Sequence, residues 1–272
     1  MKINLHAGHN PAGKVACGAV GLLDESKENR LINAEMIKVL KSLGHTVYDC
    51  TVNNGTGQTD VLKKICAKDN AHSVDISGSI HLNSGRNDKK GDKKQGGYEI
   101  NAYNYSGKKK EIAEQCVANM KALGFKTHGN PYKVRTNLYY LKHSKNPCLL
   151  HEVCFVDDRD DYELYKKVGY KEVAKALAYG MVNKAYKPGT STSKPSTSKP
   201  SSKPTTSKTR YYPKCKNNED SLIDGLKYVK TDYSFSHRKK IAQGNGISGY
   251  RGSAVQNIKL LDLLKKGKLK KA

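Results

Sequence analysis

The chain has 272 residues and a formal net charge of +24, because 49 lysines and arginines outnumber 25 aspartates and glutamates. This length suits one well-buried domain with a smaller second one. The charge excludes an electrically balanced surface and indicates a polyanionic partner, which could be nucleic acid, an anionic membrane or an acidic polymer such as a bacterial wall. No apolar stretch is long enough to cross a bilayer, so we predict no membrane span.

The first 186 residues alternate strand-like and helical patterns. Strands are predicted at 2–5, 46–50, 73–84, 98–103 and 147–156. Helices are predicted at 25–43, at 60–67, in a segment that ends at Gly124, and at 171–185. This alternation predicts an α/β domain with a mostly parallel central sheet flanked by helices. Functional sites in such sheets lie at the carboxyl ends of the strands, and His9 and His81 follow two predicted strand ends.

Two further segments follow this domain. Residues 187–209 repeat a Ser-Lys-Pro unit with no apolar core former and no acidic residue, which predicts an extended linker. Residues 210–272 contain three short helical patterns and predict a small all-α three-helix module. In its last helix we expect helical spacing to place Val255, Ile258, Leu261 and Leu264 in the core.

Seven cysteines are scattered along the chain without any Cys-x-x-Cys pair. This pattern argues against a zinc-thiolate cluster and against a disulfide framework, and it predicts reduced thiols, several of them buried. The N-terminal residues 1–6 run directly into a strand-like segment without a hydrophobic signal region. We therefore expect the protein to be made and folded in a reducing cytoplasm.

One glutamate, Glu152, is set into the apolar run 147–156. A carboxylate in a buried strand is costly unless something uses it. It could form a buried ion pair with a lysine or arginine, or it could act as a general base whose pKa is tuned by burial. Because side chains alternate along a strand, the neighbouring His151 should face the opposite way.

A metal site is the second candidate feature. Catalytic zinc takes three imidazole or carboxylate ligands and leaves one position open for water. His9, an acidic residue at the start of the first helix (Glu25 or Glu28) and His81 could supply this set. Glu152 could then take a proton from a water that the metal has made more acidic.

Three motifs resemble the type 3 N-acetylmuramoyl-L-alanine amidases, the zinc enzymes of bacterial autolysins and phage endolysins, over nearly all of residues 1–186. They are His6-Ala7-Gly8-His9-Asn10 with Glu25 to Asn29 at the head of the helix, Ser79-Ile80-His81-Leu82-Asn83-Ser84, and Pro147-Cys148-Leu149-Leu150-His151-Glu152-Val153-Cys154-Phe155. His6 stands where the family usually has aspartate, and Cys154 where it usually has glycine. The tail is similar to small wall-binding modules of endolysins and autolysins, through residues such as Phe235, Arg238 and Tyr250.

The resemblance implies that residues 1–186 are a zinc amidase domain with Zn²⁺ on His9, Glu25 and His81, and with Glu152 as the catalytic carboxylate. It prefers Glu25 over Glu28 because the family's acidic ligand commonly stands four residues before an asparagine, as Glu25 stands before Asn29. The implied reaction hydrolyses the amide bond between N-acetylmuramic acid and L-alanine in peptidoglycan of a Gram-positive wall, and so lyses the cell. Residues 210–272 would bind the wall, including its anionic polymers.

The leading hypothesis is therefore a phage endolysin, made in the host cytoplasm without a signal peptide and acting at the wall after release. A host autolysin of the same activity is the first alternative. A catalytically silent wall-binding protein is the second, although His9, His81 and Glu152 are all present. A nucleic-acid-binding protein is disfavoured because the linker has no aromatic residues for base stacking and the tail has few.

Overall fold

The computed structural model describes residues 1–188, 211–215 and 221–271. The chain divides into two compact units, Met1–Ser193 and Lys194–Ala272. The predicted linker 187–209 lies outside the described residues except for its first two positions. The exact limits of the three predicted segments therefore stay predictions.

Within its described residues, 1–188, the first unit contains six strands and six helices. The strands are β1 (Lys2–Ala7), β2 (Thr46–Asp49), β3 (Ile76–Asn83), β4 (Tyr98–Ala102), β5 (Thr127–Val134) and β6 (Cys148–Phe155). The helices are α1 (Glu25–Ser42), α2 (Gln58–Asn70), α3 (Gly107–Ala122), α4 (Tyr139–His143), α5 (Arg159–Val168) and α6 (Tyr170–Met181).

The strands form one mixed sheet in the order β2-β1-β3-β6-β4-β5. Strands β1, β2, β3 and β6 run parallel to one another, whereas β4 runs antiparallel to β6 and β5 follows the direction of β4. The carboxyl ends of β1, β3 and β6 therefore meet at one edge, together with the amino end of β4. The predicted α/β class with a mostly parallel central sheet flanked by helices is confirmed.

The two faces of the sheet are covered unequally. Helices α1, α3 and α6 pack together over one face, where the largest apolar cluster includes Ile80, Ile100 and Leu149. Helices α2 and α4 cover the other face above a smaller cluster that includes Cys148 and Leu150. Alternation along β6 therefore directs Leu149, His151 and Val153 into the thick core and Glu152 toward the thinner layer.

Sequence reasoning missed three elements. Strand β5 contains Gly129, in the left-handed region with a φ of 57°, and Pro131, and both residues are typical of turns. Helix α5 buries only Asp161 and Tyr165, and its other apolar side chains pack against the core only partly buried. The third missed element is the helix α4, which has only five residues.

All seven cysteines lie within the described residues, where none of them forms a disulfide bond, and six of them are buried. This agrees with the prediction of reduced, mostly buried thiols. Among the described residues, none of the helices combines the length and the apolar composition that crossing a membrane requires.

The second unit contains helices α7 (Leu222–Tyr228), α8 (Phe235–Gly244) and α9 (Ala254–Lys265). Ser253 begins α9 with a capping box that it shares with Gln256. Leu260, Leu261 and Leu264 of this helix lie in the unit's core. The prediction for Ile258 is wrong, because its side chain is 57% exposed while the core-facing stripe runs through Leu260 and Leu264. The side chain of Val255 lies outside the described part of the chain.

Candidate functional site

Three side chains converge above the carboxyl ends of β1 and β3. His9 follows β1, Glu25 begins α1, and His81 lies on β3. Glu25 Oε1 lies 3.3 Å from His9 Nε2 and 3.0 Å from His81 Nδ1. One ligand atom from each residue lies within 4.8 Å of the others, which is a spacing that a single metal ion can bridge.

Glu25 is held so that one carboxylate oxygen faces the two imidazoles. Its Oε2 accepts a hydrogen bond of 2.9 Å from the backbone N–H of Ala19, and its Oε1 accepts one of 3.2 Å from Leu82. Burial alone would raise the pKa of Glu25, but hydrogen bonds from His81 and His9 outweigh it and hold that pKa well below its ordinary value. The carboxylate is therefore ionised and ready to accept a cation.

Two glycines allow this close convergence. A Cβ atom at Gly8 would lie 2.1 Å from His81 Cε1, and one at Gly18 would lie 2.4 Å from Glu25 Oε2. Both distances are shorter than any van der Waals contact. Only glycine can therefore occupy these positions while the cluster keeps its shape.

The loop that carries His9 is strained and is fixed by α1. His9 adopts a φ of 61°, which is uncommon for a residue with a Cβ atom. Arg30 donates to the carbonyl oxygen of His9 at 2.8 Å and to that of Gly8 at 3.3 Å. Asn29 donates to the same Gly8 oxygen at 3.0 Å. One helix therefore supplies Glu25 and also holds the loop of its neighbour His9.

A polar row crosses three strands at this edge of the sheet. Glu152 on β6 pairs in register with His81 on β3 and with Glu99 on β4. The next row consists of Ile80, His151 and Ile100, which face the thick core. Within it, His151 is fully buried and its Nδ1 lies 2.7 Å from the Tyr98 hydroxyl. His151 therefore points away from the cluster, as strand alternation predicts.

Glu152 keeps one carboxylate oxygen without a protein partner. Its Oε2 is buried and makes no hydrogen bond within the described residues. Burial raises the pKa of Glu152 well above its ordinary value, and repulsion from Glu25 and Glu99 raises it further, while Arg135 acts in the opposite direction. The sequence left open an ion pair between Glu152 and a lysine or arginine. No such ion pair forms in the part of the chain that the structure describes. Glu152 is instead a carboxyl group that binds a proton readily.

Two clefts meet at Glu152, and Leu138 also lines both. The apolar cleft, of about 420 Å³, lies between α2 and α4. Its walls include His6, Val61, Leu62, Ile65, Leu138 and Tyr139, together with His9, His81 and Glu152. The polar cleft, of about 380 Å³, lies on the β4 side. Its walls include Arg86, Glu99, Asn101, His128 and Arg135, together with Glu152.

Glu28, the alternative to Glu25, lies elsewhere. It accepts a hydrogen bond of 2.7 Å from the hydroxyl of Tyr165 on α5. His6, at the position where aspartate is usual, is buried in the wall of the apolar cleft, with its ring centroid 4.5 Å from that of Tyr140. Burial lowers the pKa of His6 to about 3, so its imidazole is neutral at physiological pH.

The arrangement matches a known family. The model of the N-acetylmuramoyl-L-alanine amidases matches residues 3–183, which are most of the first unit. The chain belongs to the N-acetylmuramoyl-L-alanine amidase family. The resemblance that its three motifs indicated is thereby confirmed.

Similar proteins include other members of this family and phage proteins. An uncharacterized protein of Clostridium perfringens strain 13 is 33% identical over 182 residues, which are 65% of this chain and 50% of the relative. The solved catalytic domain of the CD27L endolysin, which targets Clostridia difficile, has a TM-score of 0.57 and 26% identity, covering 68% of this chain and 99% of that domain. An L-alanyl-D-glutamate peptidase of Listeria phage A118 is 45% identical over 58 residues, 21% of each protein. The chain thus spans about half the length of the clostridial relative and about a fifth of the phage peptidase.

Sequence reasoning selected His9, Glu25, His81 and Glu152 but missed the residues that support them. The structure brings His9, Glu25 and His81 together and places Glu152 in the cleft that the two histidines line, and the roles of these residues stay predictions. The role of Arg30 in holding the His9 loop was missed, and its signal in the sequence is its place five residues after Glu25 on α1. The polar cleft was also missed, because Arg86 lies in the loop after β3, whereas His128 and Arg135 lie in and directly after β5, a strand that the sequence did not predict.

Proposed function

We propose that the protein is a zinc-dependent amidase that hydrolyses the bond between N-acetylmuramic acid and L-alanine in bacterial peptidoglycan. The observation that carries this proposal is the convergence of His9, Glu25 and His81 within 4.8 Å, next to an unpartnered Glu152, in a chain of the amidase family. Similarity to an endolysin catalytic domain supports the further proposal that the protein lyses bacterial cells as a phage endolysin.

The three converging side chains suit zinc. Two imidazole nitrogens and one carboxylate oxygen are the donors that catalytic zinc sites use, with a fourth position left for water or substrate. A Cβ atom at Gly8 or Gly18 would clash with His81 or Glu25. The two glycines therefore let the ligand residues pack closely, as a compact ion requires. The chemistry that zinc supplies when bound is Lewis-acid chemistry, which polarises a carbonyl group and makes water more acidic.

Glu152 is the proposed general base and acid. Glu152 lines both clefts, and the scissile amide can lie where they meet, beside His81. Because its pKa is raised, the ionised carboxylate of Glu152 is a stronger base toward a proton of the attacking water. It can then pass this proton to the nitrogen of the departing alanine. Glycan and stem peptide separate as products.

The second unit is the proposed wall-binding module. Lysine and arginine far outnumber acidic residues in 210–272, which favours anionic wall polymers as partners. Tethering such a module raises the enzyme's effective concentration at the wall. In this proposal the protein is made in the host cytoplasm and reaches the wall after its release.

Product chemistry tests the amidase proposal. The full chain is incubated with purified Gram-positive peptidoglycan, and the new chain ends are identified by dinitrophenylation and borohydride reduction. We expect new N-terminal L-alanine amines and no new reducing sugars. New reducing ends, or new N-terminal glutamate, would show that another bond is cleaved and would overturn the proposal.

Sedimentation tests the wall-binding proposal separately. The full chain is mixed with intact purified walls and with walls stripped of their anionic polymers, at low and at high salt. We expect co-sedimentation with intact walls that weakens after stripping and at high salt, because the attraction is electrostatic. Equal binding to both wall preparations would contradict a role for anionic polymers.

A further inference from the structure

Among the described residues, one positive charge of the polar cleft has no acidic partner. Glu99 Oε2 lies 2.8 Å from His128 Nδ1 and forms an ion pair of 3.9 Å with Lys133 Nζ. Arg86 is neutralised by Asp158 at 3.2 Å and Asp92 at 3.7 Å. These pairs account for the charged side chains of the cleft other than Glu152 and Arg135.

Arg135 is the residue that stays unpaired. Its side chain is exposed and forms no hydrogen bond or ion pair with the described residues, although it lines the polar cleft together with Glu152. Its position is nevertheless fixed, because it directly follows β5 and its backbone N–H donates to Ala102 on β4 at 2.9 Å. A guanidinium group on a rigid base, in a cleft beside the proposed reaction centre, is suited to bind an anion.

We propose that Arg135 binds the free carboxylate of the stem-peptide residue that follows L-alanine and so selects substrates in which this group is not amidated. This inference rests on the proposed function. The second residue of a peptidoglycan stem is D-glutamate linked through its side chain, so its α-carboxyl group is either free or converted to an amide. That group lies one residue from the scissile bond, roughly 3.5 Å of extended chain beyond the alanine.

The chemistry of the two substrate forms differs sharply at such a cation. A carboxylate can accept two parallel hydrogen bonds from the planar guanidinium group, whereas an amide presents N–H donors and carries no charge. Glu99 repels the incoming carboxylate less than an unpaired carboxylate would, since Lys133 lies 3.9 Å from it. The polar cleft would therefore take the peptide, and the apolar cleft would be left for the glycan and its lactyl group.

The test compares two substrates that differ by one functional group. The full chain is assayed on N-acetylmuramoyl-L-alanyl peptides whose second residue is D-isoglutamate or D-isoglutamine, and kcat/KM is measured for each. For the wild type we expect kcat/KM to be about five- to ten-fold higher for the D-isoglutamate substrate. This preference lies at the lower end of what a charged hydrogen bond can give, because Arg135 is exposed. In Arg135→Gln the preference should fall to about one, and Arg135→Lys should keep part of it.

A matched control is Lys108→Gln, which removes an exposed positive charge outside both clefts. It should keep the wild-type preference. Using the ratio of the two kcat/KM values cancels any general loss of folding or any shift in the pKa of Glu152. Equal cleavage of both substrates by the wild type, or an undiminished preference in Arg135→Gln, would overturn the role of Arg135 alone. Failure to cleave either substrate would instead overturn the proposed amidase function, and this inference with it.

Discussion

Strand β6 and the turn after it carry two kinds of carboxylate. Asp157 accepts hydrogen bonds from three backbone N–H groups, those of residues 85–87, at 2.9 to 3.3 Å. Asp158 accepts from Gly96, from Asp161 and from the guanidinium of Arg86, so both its oxygens are used. Glu152, three residues before the end of the same strand, has one buried oxygen with no partner in the described chain.

The difference shows in the proton affinities of the two groups. Burial alone would raise the pKa of Asp157, but the three backbone N–H groups lower it below its ordinary value. Burial raises the pKa of Glu152 without such compensation. A buried carboxylate that is fully hydrogen-bonded stabilises structure, whereas one that is left unsatisfied is available for chemistry. The following variants test this division, starting with the largest expected effect.

The largest effect is expected on the metal side of the site, in His81→Ala. Removing an imidazole ligand should lose the bound zinc, as measured by atomic absorption on the full chain. Because both Lewis-acid and acid–base catalysis depend on the metal, hydrolysis should fall by at least about 10⁴-fold. His72→Ala is the matched control, since His72 precedes β3 and stacks on Tyr48 at the other end of that strand. Zinc content that is unchanged in His81→Ala would contradict the proposed ligand set.

The aspartates should behave in the opposite way. Asp158→Ala removes the cap of α5 and the partner of Arg86, so the free energy of unfolding should fall by about 2–4 kcal/mol in chemical denaturation. Bound zinc should remain in the folded protein. Glu163→Ala, at an exposed position of the same helix, should change stability by less than about 0.5 kcal/mol. If Asp158→Ala lost zinc while keeping its stability, the division between structural and reactive carboxylates would be wrong.

Much of this division could be predicted from sequence, but not all of it. The motif around Glu152 and the spacing of His9, Glu25 and His81 identified the site, because residues at the ends of parallel strands converge. The burial expected from the sequence could not by itself distinguish the reactive Glu152 from the structural Asp157 and Asp158. Most partners of Asp157 and Asp158 belong to the loop 85–97, which lies next to these aspartates only once the chain has folded.

The polar cleft shows a second limit. Glu99 faces Glu152 because β4 runs antiparallel to β6, and strand direction cannot be read from an apolar pattern. Arg135 reaches the cleft at the end of β5, a strand whose glycine and proline resemble a turn in sequence. In the second unit, helical periodicity alone placed Ile258 in the core, although the stripe through Leu260 and Leu264 is the buried one.

The smallest effect is expected on the opposite face of β6, at His151. Burial lowers the pKa of this histidine to about 3, from its ordinary value of 6.5. Between these values the unfolded chain binds a proton that the folded protein does not, so stability falls as the pH falls. From pH 7 to pH 5, His151→Gln should lose about 2 kcal/mol less stability than the wild type. Urea denaturation at both pH values measures this difference, and equal losses would contradict a neutral, buried His151.

The most direct test of the account is the variant Glu152→Gln in the full chain, with zinc content and peptidoglycan hydrolysis measured on the same preparation. Glutamine keeps the shape of the side chain but cannot take a proton. We predict one equivalent of zinc in both proteins and hydrolysis that is lower in the variant by about 10²–10⁴-fold. Hydrolysis at the wild-type rate in a variant that retains its zinc would contradict the assignment of Glu152 as the catalytic carboxylate.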